Sequence, residues 1–413
     1  MLLFSTITRL TGVHWKDQRP AFVVGLGHGG THWIAATFYL LLPFITRDLG
    51  LSYAQAGTLV ALFHVSSTTA NFGSGVAVDI TGRRVLFQVA SLLIGGGALL
   101  AFGITERFVV LCVLVALIGA SNNLWHPPAI SFLSEWYPKN RGYALSIHAL
   151  GANLGDTLAP LAAGTLLAVM SWQGTAAVNA LPVLSIAALI GITLLSKDSA
   201  RRSRTHQHAG FGAYFAELKE IVRDKGVLSL CLMAGFRIMA QNGLLMFLPL
   251  YLANELRVSP IWMGVTLMAM QLSGLIASPI AGAWSDRVGR RPVVLSGLTV
   301  TTVVIVGLTM TRNDLVFITA VSVLGFAMFA VRPVVHSWLM DLTPAHLSGS
   351  ATSLMFGMQN GLSAIVPIVG GVIADIWGLT AVFYFLAATM VVANVLVYLL
   401  PQPEPSATSV EPQ

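Results

Sequence analysis

Nine ionisable side chains fall inside long apolar stretches: His28, His32, His64, His126, His148, Asp156, Arg237, Arg332 and His336. Such groups are costly in hydrocarbon, so they face a cavity or one another and mark paths for solutes or protons. Imidazole changes charge near neutral pH. Guanidinium holds anions through a planar fork of donors. Asp156 is the one carboxylate placed deep in such a stretch, which makes it the expected proton carrier, with His126 and His148 as relays.

Helical spacing sorts these residues onto faces. His148, Ala152 and Asp156 recur every four residues beside Gly151 and Gly155; Arg237 and Gln241 share a face, as do Met328, Arg332 and His336. Pro333 frees a backbone carbonyl near the face of Met328, Arg332 and His336. The N-terminal half thus supplies imidazoles and a carboxylate, the C-terminal half guanidinium groups. A cavity between the halves would have a proton-binding wall facing an anion-binding wall. The expected substrate-binding set is Arg237, Arg332, His28, His32, His64, Asn123, Gln241, His336 and Asn360. Plainer readings compete with it: a structural Asp156–Arg332 ion pair, a snorkelling Arg237, and histidines that only fill space. His14, His206, His208 and His346 read as solvent-exposed.

His28 and His32 have the spacing of metal ligands on a helix, but no intramembrane Glu or Cys cluster accompanies them. A zinc protease reading therefore has almost no support, and no metal site or cofactor is expected. A metal or metal chelate is kept as an alternative cargo. Cys112 and Cys231 sit in apolar stretches as core residues, and the fourteen methionines read as packing.

The elements that must carry these groups are membrane spans. With 55% hydrophobic and 10% charged residues among 413, a soluble fold could not cover its surface. Twelve apolar runs of roughly 20 residues, each able to cross about 30 Å of hydrocarbon, occupy 20–44, 53–78, 85–104, 108–134, 142–169, 175–195, 227–252, 260–283, 292–310, 315–340, 349–374 and 379–400. The fold expected is all-α, with twelve transmembrane helices in two parallel-repeat six-helix bundles.

A motif written twice, about 207 positions apart, supports the repeat: Gly75-x-x-x-Asp79-x-x-Gly82-Arg83-Arg84 and Gly282-x-x-x-Asp286-x-x-Gly289-Arg290-Arg291. Beyond it Pro127 answers Pro333, Glu135 answers Asp341, Asn153 answers Asn360, Pro160 answers Pro367 and Gly164 answers Gly371. The units are 1–196 and 227–400, joined by a cytoplasmic linker, 197–226, with an amphipathic helix, and followed by a disordered tail, 401–413. Basic residues gather on the side of the termini, which places both in the cytoplasm. The first 19 residues lack the pattern of a cleaved signal. The positive balance is explained by anionic lipid headgroups, without nucleic acid. No nucleotide-binding motif is present, so ATP-driven transport is not expected.

The paired Gly-x-x-x-Asp-x-x-Gly-Arg-Arg loops resemble the signature of the major facilitator superfamily, and the resemblance covers essentially the whole chain. Leu49-Gly-Leu-Ser-Tyr-Ala-Gln-Ala-Gly57, Trp125-His126-Pro127, Gly151-Ala-Asn-Leu-Gly155 and Phe247-Leu-Pro-Leu-Tyr-Leu252 are similar to its fosmidomycin-resistance branch of exporters. The resemblance implies a gate in which Asp79, Arg83, Asp286 and Arg290 latch the cytoplasmic side of an outward-facing state. Gly155-Asp-Thr-Leu-Ala159-Pro160-Leu-Ala-Ala163-Gly164 resembles the superfamily's antiporter pattern with alanines at two glycine positions. The arginine common early in span four of drug–proton antiporters would fall near Val115 and is absent.

Together these readings describe a bacterial-type inner-membrane transporter rather than an enzyme. It is expected to act as a monomer, exporting a small anionic or zwitterionic compound against protons. A proton-coupled importer of an organic anion is the main alternative, and a non-transporting receptor a further one.

Overall fold

The computed structural model describes Thr8 and residues 11–198, 222–344 and 347–400. The expected amphipathic linker helix falls largely on 199–221 and the tail on 401–413, both outside the described residues. Within them the chain is helical: α1 (Arg19–Asp48), α2 (Tyr53–Thr81), α3 (Arg84–Ala101), α4 (Phe108–Leu124), α5 (His126–Trp136), α6 (Arg141–Leu167) and α7 (Trp172–Asp198) form one half. The other half is α8 (Lys225–Asn254), α9 (Pro260–Val288), α10 (Arg290–Leu308), α11 (Asp314–Leu342), α12 (Ser348–Trp377) and α13 (Leu379–Leu399). Twelve crossings result, because α4 and α5 are one span broken at Trp125.

The break has a local cause. Pro127 and Pro128 lack N–H groups, so the turn after Trp125 loses two helical bonds and the axis bends. His126 Nδ1 lies 3.1 Å from the Asn122 carbonyl and gives it a side-chain donor. Other ends are set by local chemistry too. Ser52 and Gln55 form a reciprocal capping box on α2, and the Asp224 carboxylate accepts from Gly226 and Val227 at the start of α8. Tyr137, just past α5, donates to the Asp17 carbonyl at 2.6 Å and accepts from the Ala21 amide. Burial pushes its phenol up to about 12, so it remains a neutral donor.

Nine described helical spans are both long and apolar enough to cross a membrane. The remaining crossings, α1, α2 and α6, carry His28, His32, His64, His148 and Asp156, and these polar residues lower their hydropathy. All three are central to the packing. In the first half α1 packs on α6, α2 on α4 and α3 on α7; in the second, α8 packs on α12, α9 on α11 and α10 on α13. One neighbour scheme is therefore used twice, as the sequence repeat requires.

The halves meet through α6 with α9, α2 with α12, and α1 with α8. Glycines make the first two contacts possible: a Cβ on Gly57 would overlap the Pro367 carbonyl, and one on Gly264 the Pro160 carbonyl. Gly371 lies likewise on the Tyr53 carbonyl and Gly164 on that of Pro260. All four contacts sit toward the end opposite the Gly-Arg-Arg loops. Asp375 adds to this closure, accepting from the Tyr53 and Ala54 amides at 2.8 and 2.9 Å across the halves. Toward the loop end, Gly73, Gly75, Gly282, Gly357 and Gly361 have open space where a Cβ would be.

Candidate substrate-binding and coupling site

A cavity of ≈ 450 Å³ lies between the halves. On one wall are His32, Tyr39, His64, Asn122, Asn153 and Asp156, and on the other Gln241, Asn242, Gln271, Ser278, Phe329 and Arg332. Asp156 pairs with His32 Nδ1 at 2.9 Å, both side chains remaining about a quarter exposed. The partner of Asp156 is thus an imidazole one helix away, rather than Arg332. Arg332 is exposed into the space facing that pair. His64 Nε2 lies 3.2 Å from the Tyr39 hydroxyl.

Behind this wall the imidazoles form a connected cluster. His28 is buried, with Nδ1 at 2.8 Å from the His148 carbonyl and Nε2 at 3.2 Å from His126 Nε2. The His28 and His148 rings stack with centroids 3.7 Å apart. The Trp125 indole donates to His148 Nε2 at 3.1 Å, so the residue at the break of the fourth span also fixes this ring.

On the opposite wall Arg237 is only 2% exposed and donates to Gln241 Oε1 at 2.9 Å. Its position is interior, so it does not snorkel. The Nε of Arg237 has no hydrogen-bond partner among the described residues, an expensive situation for a buried cation. Gln241 lines the cavity and Arg237 stands behind it.

Of the residues expected from sequence, the cavity collects His32, His64, Asp156, Gln241 and Arg332. His28, His126 and His148 form the layer behind it. Asn123 donates to Ser67 at 2.7 Å instead, His336 packs against Phe356 with ring centroids 5.5 Å apart, and Asn360 is exposed elsewhere on α12. Sequence reasoning missed Asn122, Asn153, Asn242 and Gln271 as lining residues. Their signal was present: Asn122 stands four residues before His126, and Asn242 follows Gln241. A shift of one residue turns a side chain by about 100° around a helix, which is why Asn122 faces the cavity and Asn123 does not.

The loop-end charges divide unequally between the halves. Arg84, rather than Arg83, is buried, bonding Glu135 at 2.8 Å and Ser131 Oγ at 2.8 Å, while Arg83 is exposed. In the second half Arg290 takes the corresponding role, bonding Asp341 Oδ2 at 2.9 Å, Ser285 Oγ at 2.7 Å and Asp286. Arg291 donates to the Tyr398 carbonyl and lies over its ring. The side chain of Asp79 lies outside the described residues. Each of these described ion pairs is internal to one half.

Residues 24–275 and 230–413 match the family profile "Major Facilitator Superfamily". The chain belongs to the Major Facilitator Superfamily. This family member is 22% identical over 409 residues to the phosphoglycerate transporter protein of Salmonella typhimurium (strain LT2), spanning 91% of this chain and 87% of that protein. It is 25% identical over 403 residues to the multidrug efflux pump Tap of Mycolicibacterium fortuitum, spanning 92% and 94%. A crystal structure of a bacterial homolog of the human lysosomal transporter Spinster, inward-facing and occupied, superposes with TM-score 0.78 at 14% identity over 92% of this chain and 96% of that one. The nucleoside transporter NupG gives TM-score 0.73 at 13% identity, over 93% and 100%. This Major Facilitator Superfamily protein is a multi-pass membrane transporter of small molecules, not an enzyme.

Proposed function

We propose that the protein is a proton-coupled exporter of a small anionic or zwitterionic organic compound, drug-like or phosphonate-like, working by alternating access. Its place is a bacterial-type inner membrane, with both termini cytoplasmic, and it works as a monomer built of the two bundles. The observation that carries this reading is the ≈ 450 Å³ cavity in which Arg332 faces the Asp156–His32 pair across the halves. Its volume suits a small organic molecule. An exposed guanidinium with no ion pair among the described residues favours an anionic group, which it can hold by two parallel hydrogen bonds.

Coupling is assigned to Asp156, with His126 and His148 as relays, and gating to Asp79, Arg83, Asp286 and Arg290. The segments quoted for the fosmidomycin-resistance branch support export, as does the likeness to an efflux pump. The likeness to a phosphoglycerate transporter supports an anionic cargo and keeps import of an organic anion as a second reading.

The substrate proposal is tested by binding of matched anionic, neutral and cationic ligands to purified protein. The anion should bind best, and Arg332→Gln should weaken it by about tenfold or more, the worth of a charged hydrogen bond. Arg237→Gln should act in the same direction through Gln241. Preference for the cation, or anion affinity unchanged in both variants, would overturn the anion site.

A further inference from the structure

One ring nitrogen from each of His28, His32 and His126 lies within 4.8 Å of the other two. Hydrogen bonding determines which nitrogens are free. His28 Nδ1 faces the His148 carbonyl at 2.8 Å and His126 Nδ1 faces the Asn122 carbonyl at 3.1 Å. A carbonyl can only accept, so both Nδ1 atoms carry the hydrogen. The two Nε2 atoms of neutral rings then direct lone pairs at each other across 3.2 Å, an arrangement that calls for a cation. His32 follows the same pattern, its Nδ1 held at 2.9 Å by Asp156 with Nε2 left over.

This is how metal-ligating imidazoles are oriented: one nitrogen donates to a carboxylate or carbonyl, and the other binds the ion. A tetrahedral centre with metal–nitrogen bonds of about 2.0–2.1 Å places its ligand atoms about 3.3 Å apart. His28 and His126 already have that separation. Rotation of the partly exposed His32 ring can close the third edge.

We propose that the Nε2 atoms of His28, His32 and His126 bind one divalent first-row transition-metal ion, of the class of Zn²⁺, Co²⁺ or Ni²⁺, which imidazole suits. The ligands lie on α1 and α5, and their supporting groups on α4 and α6, all within one half. Rocking of one half against the other leaves such a site intact, so the ion is a resident of the transporter rather than cargo released by alternation. His32 lines the cavity, which opens the fourth coordination position to water or to an anionic oxygen of the bound compound. A bound ion is compatible with either direction of transport. With Nε2 on the ion and Nδ1 on the Asn122 carbonyl, however, His126 has no nitrogen left to relay a proton, so the relay role would pass to His148.

The test uses full-length protein in nanodiscs, stripped with chelator and titrated with Co²⁺ while its visible absorption is followed. One Co²⁺ per chain is expected, displaced by Zn²⁺. His28→Ala and His126→Ala should each weaken binding by about 100-fold or more, and Asp156→Asn by about 10- to 100-fold at unchanged stoichiometry, as for loss of a supporting carboxylate. His14→Gln, at an exposed histidine, should change nothing. A parent that binds no Co²⁺, or binding that survives both alanine substitutions, overturns the site. If the alanine variants fail to fold, the unchanged shape of Asp156→Asn decides, and an unaltered Co²⁺ affinity there overturns it. Ligand binding and flux are measured separately, so loss of the metal site would leave the transport reading standing.

Discussion

At the scale of single residues, the pairing of Asp156 with His32 is the contact with most consequence. A carboxylate at the cavity wall, beside an imidazole and still partly exposed, can meet a proton from the cavity. Asp156→Asn keeps the side-chain shape and removes the titrating group. Uphill transport driven by a pH gradient should fall to background in proteoliposomes, while substrate exchange at equal pH persists. Undiminished uphill transport in that variant would remove Asp156 from the coupling step. Arg237 illustrates a different constraint. With Nε unpartnered among the described residues, Nη1 donates at 2.9 Å to Gln241, whose amide also lines the cavity, and at 3.5 Å to the Met328 carbonyl. Gln241 therefore links the buried cation to whatever occupies the site.

At the scale of helices, the decisive feature is close approach rather than apolarity. Gly57 and Gly264 let α2 and α9 rest directly on the backbones of α12 and α6, at Pro367 and Pro160. Small residues are what allow helices to pack this tightly in a bilayer. Gly264→Val should force α9 off α6, costing about 1–3 kcal/mol as overpacking does. The expected readout is faster modification of a cysteine at Ser171, which lines the pocket at that end of the molecule. Unchanged labelling would show that the contact does not hold the end closed. The same glycine would have been read from sequence as a generic small residue. Its role depends on a carbonyl 104 positions away, which no local pattern reveals.

At the scale of the whole molecule, the repeat and the closure are one feature. Gly57 on Pro367 and Gly264 on Pro160 are the same contact related by the internal repeat, and Gly371 on Tyr53 matches Gly164 on Pro260 in the same way. Both walls of the closed end are thus built from equivalent pieces, which lets one rocking motion release them together. Asp375 breaks this equivalence. Its carboxylate caps the exposed first amides of α2 from the other half, where the helix dipole also favours negative charge. An exposed contact of this kind contributes about 0.5–1 kcal/mol. Asp375→Ala should shift the balance toward opening at that end, raising the Ser171→Cys labelling rate about two- to fivefold. An unaltered rate would separate Asp375 from gating.

The sequence alone determined the twelve crossings, the doubled bundle and the inventory of polar groups within them. These depend on composition, length and a repeat offset, and each is written along the chain. Helical periodicity also put Arg237 beside Gln241, because both lie on one helix. What the tertiary structure decided is which helices turn their polar faces to one another. It brought His28 to His126 across 98 positions and His32 to Asp156 across 124, while leaving Asn123, His336 and Asn360 out of the cavity. It also chose Arg84 over Arg83 as the partner of Glu135. The physical reason is rotational: spacing fixes the angle between side chains on one helix, but the rotation of that helix against its neighbours is set by packing, through contacts far apart in sequence.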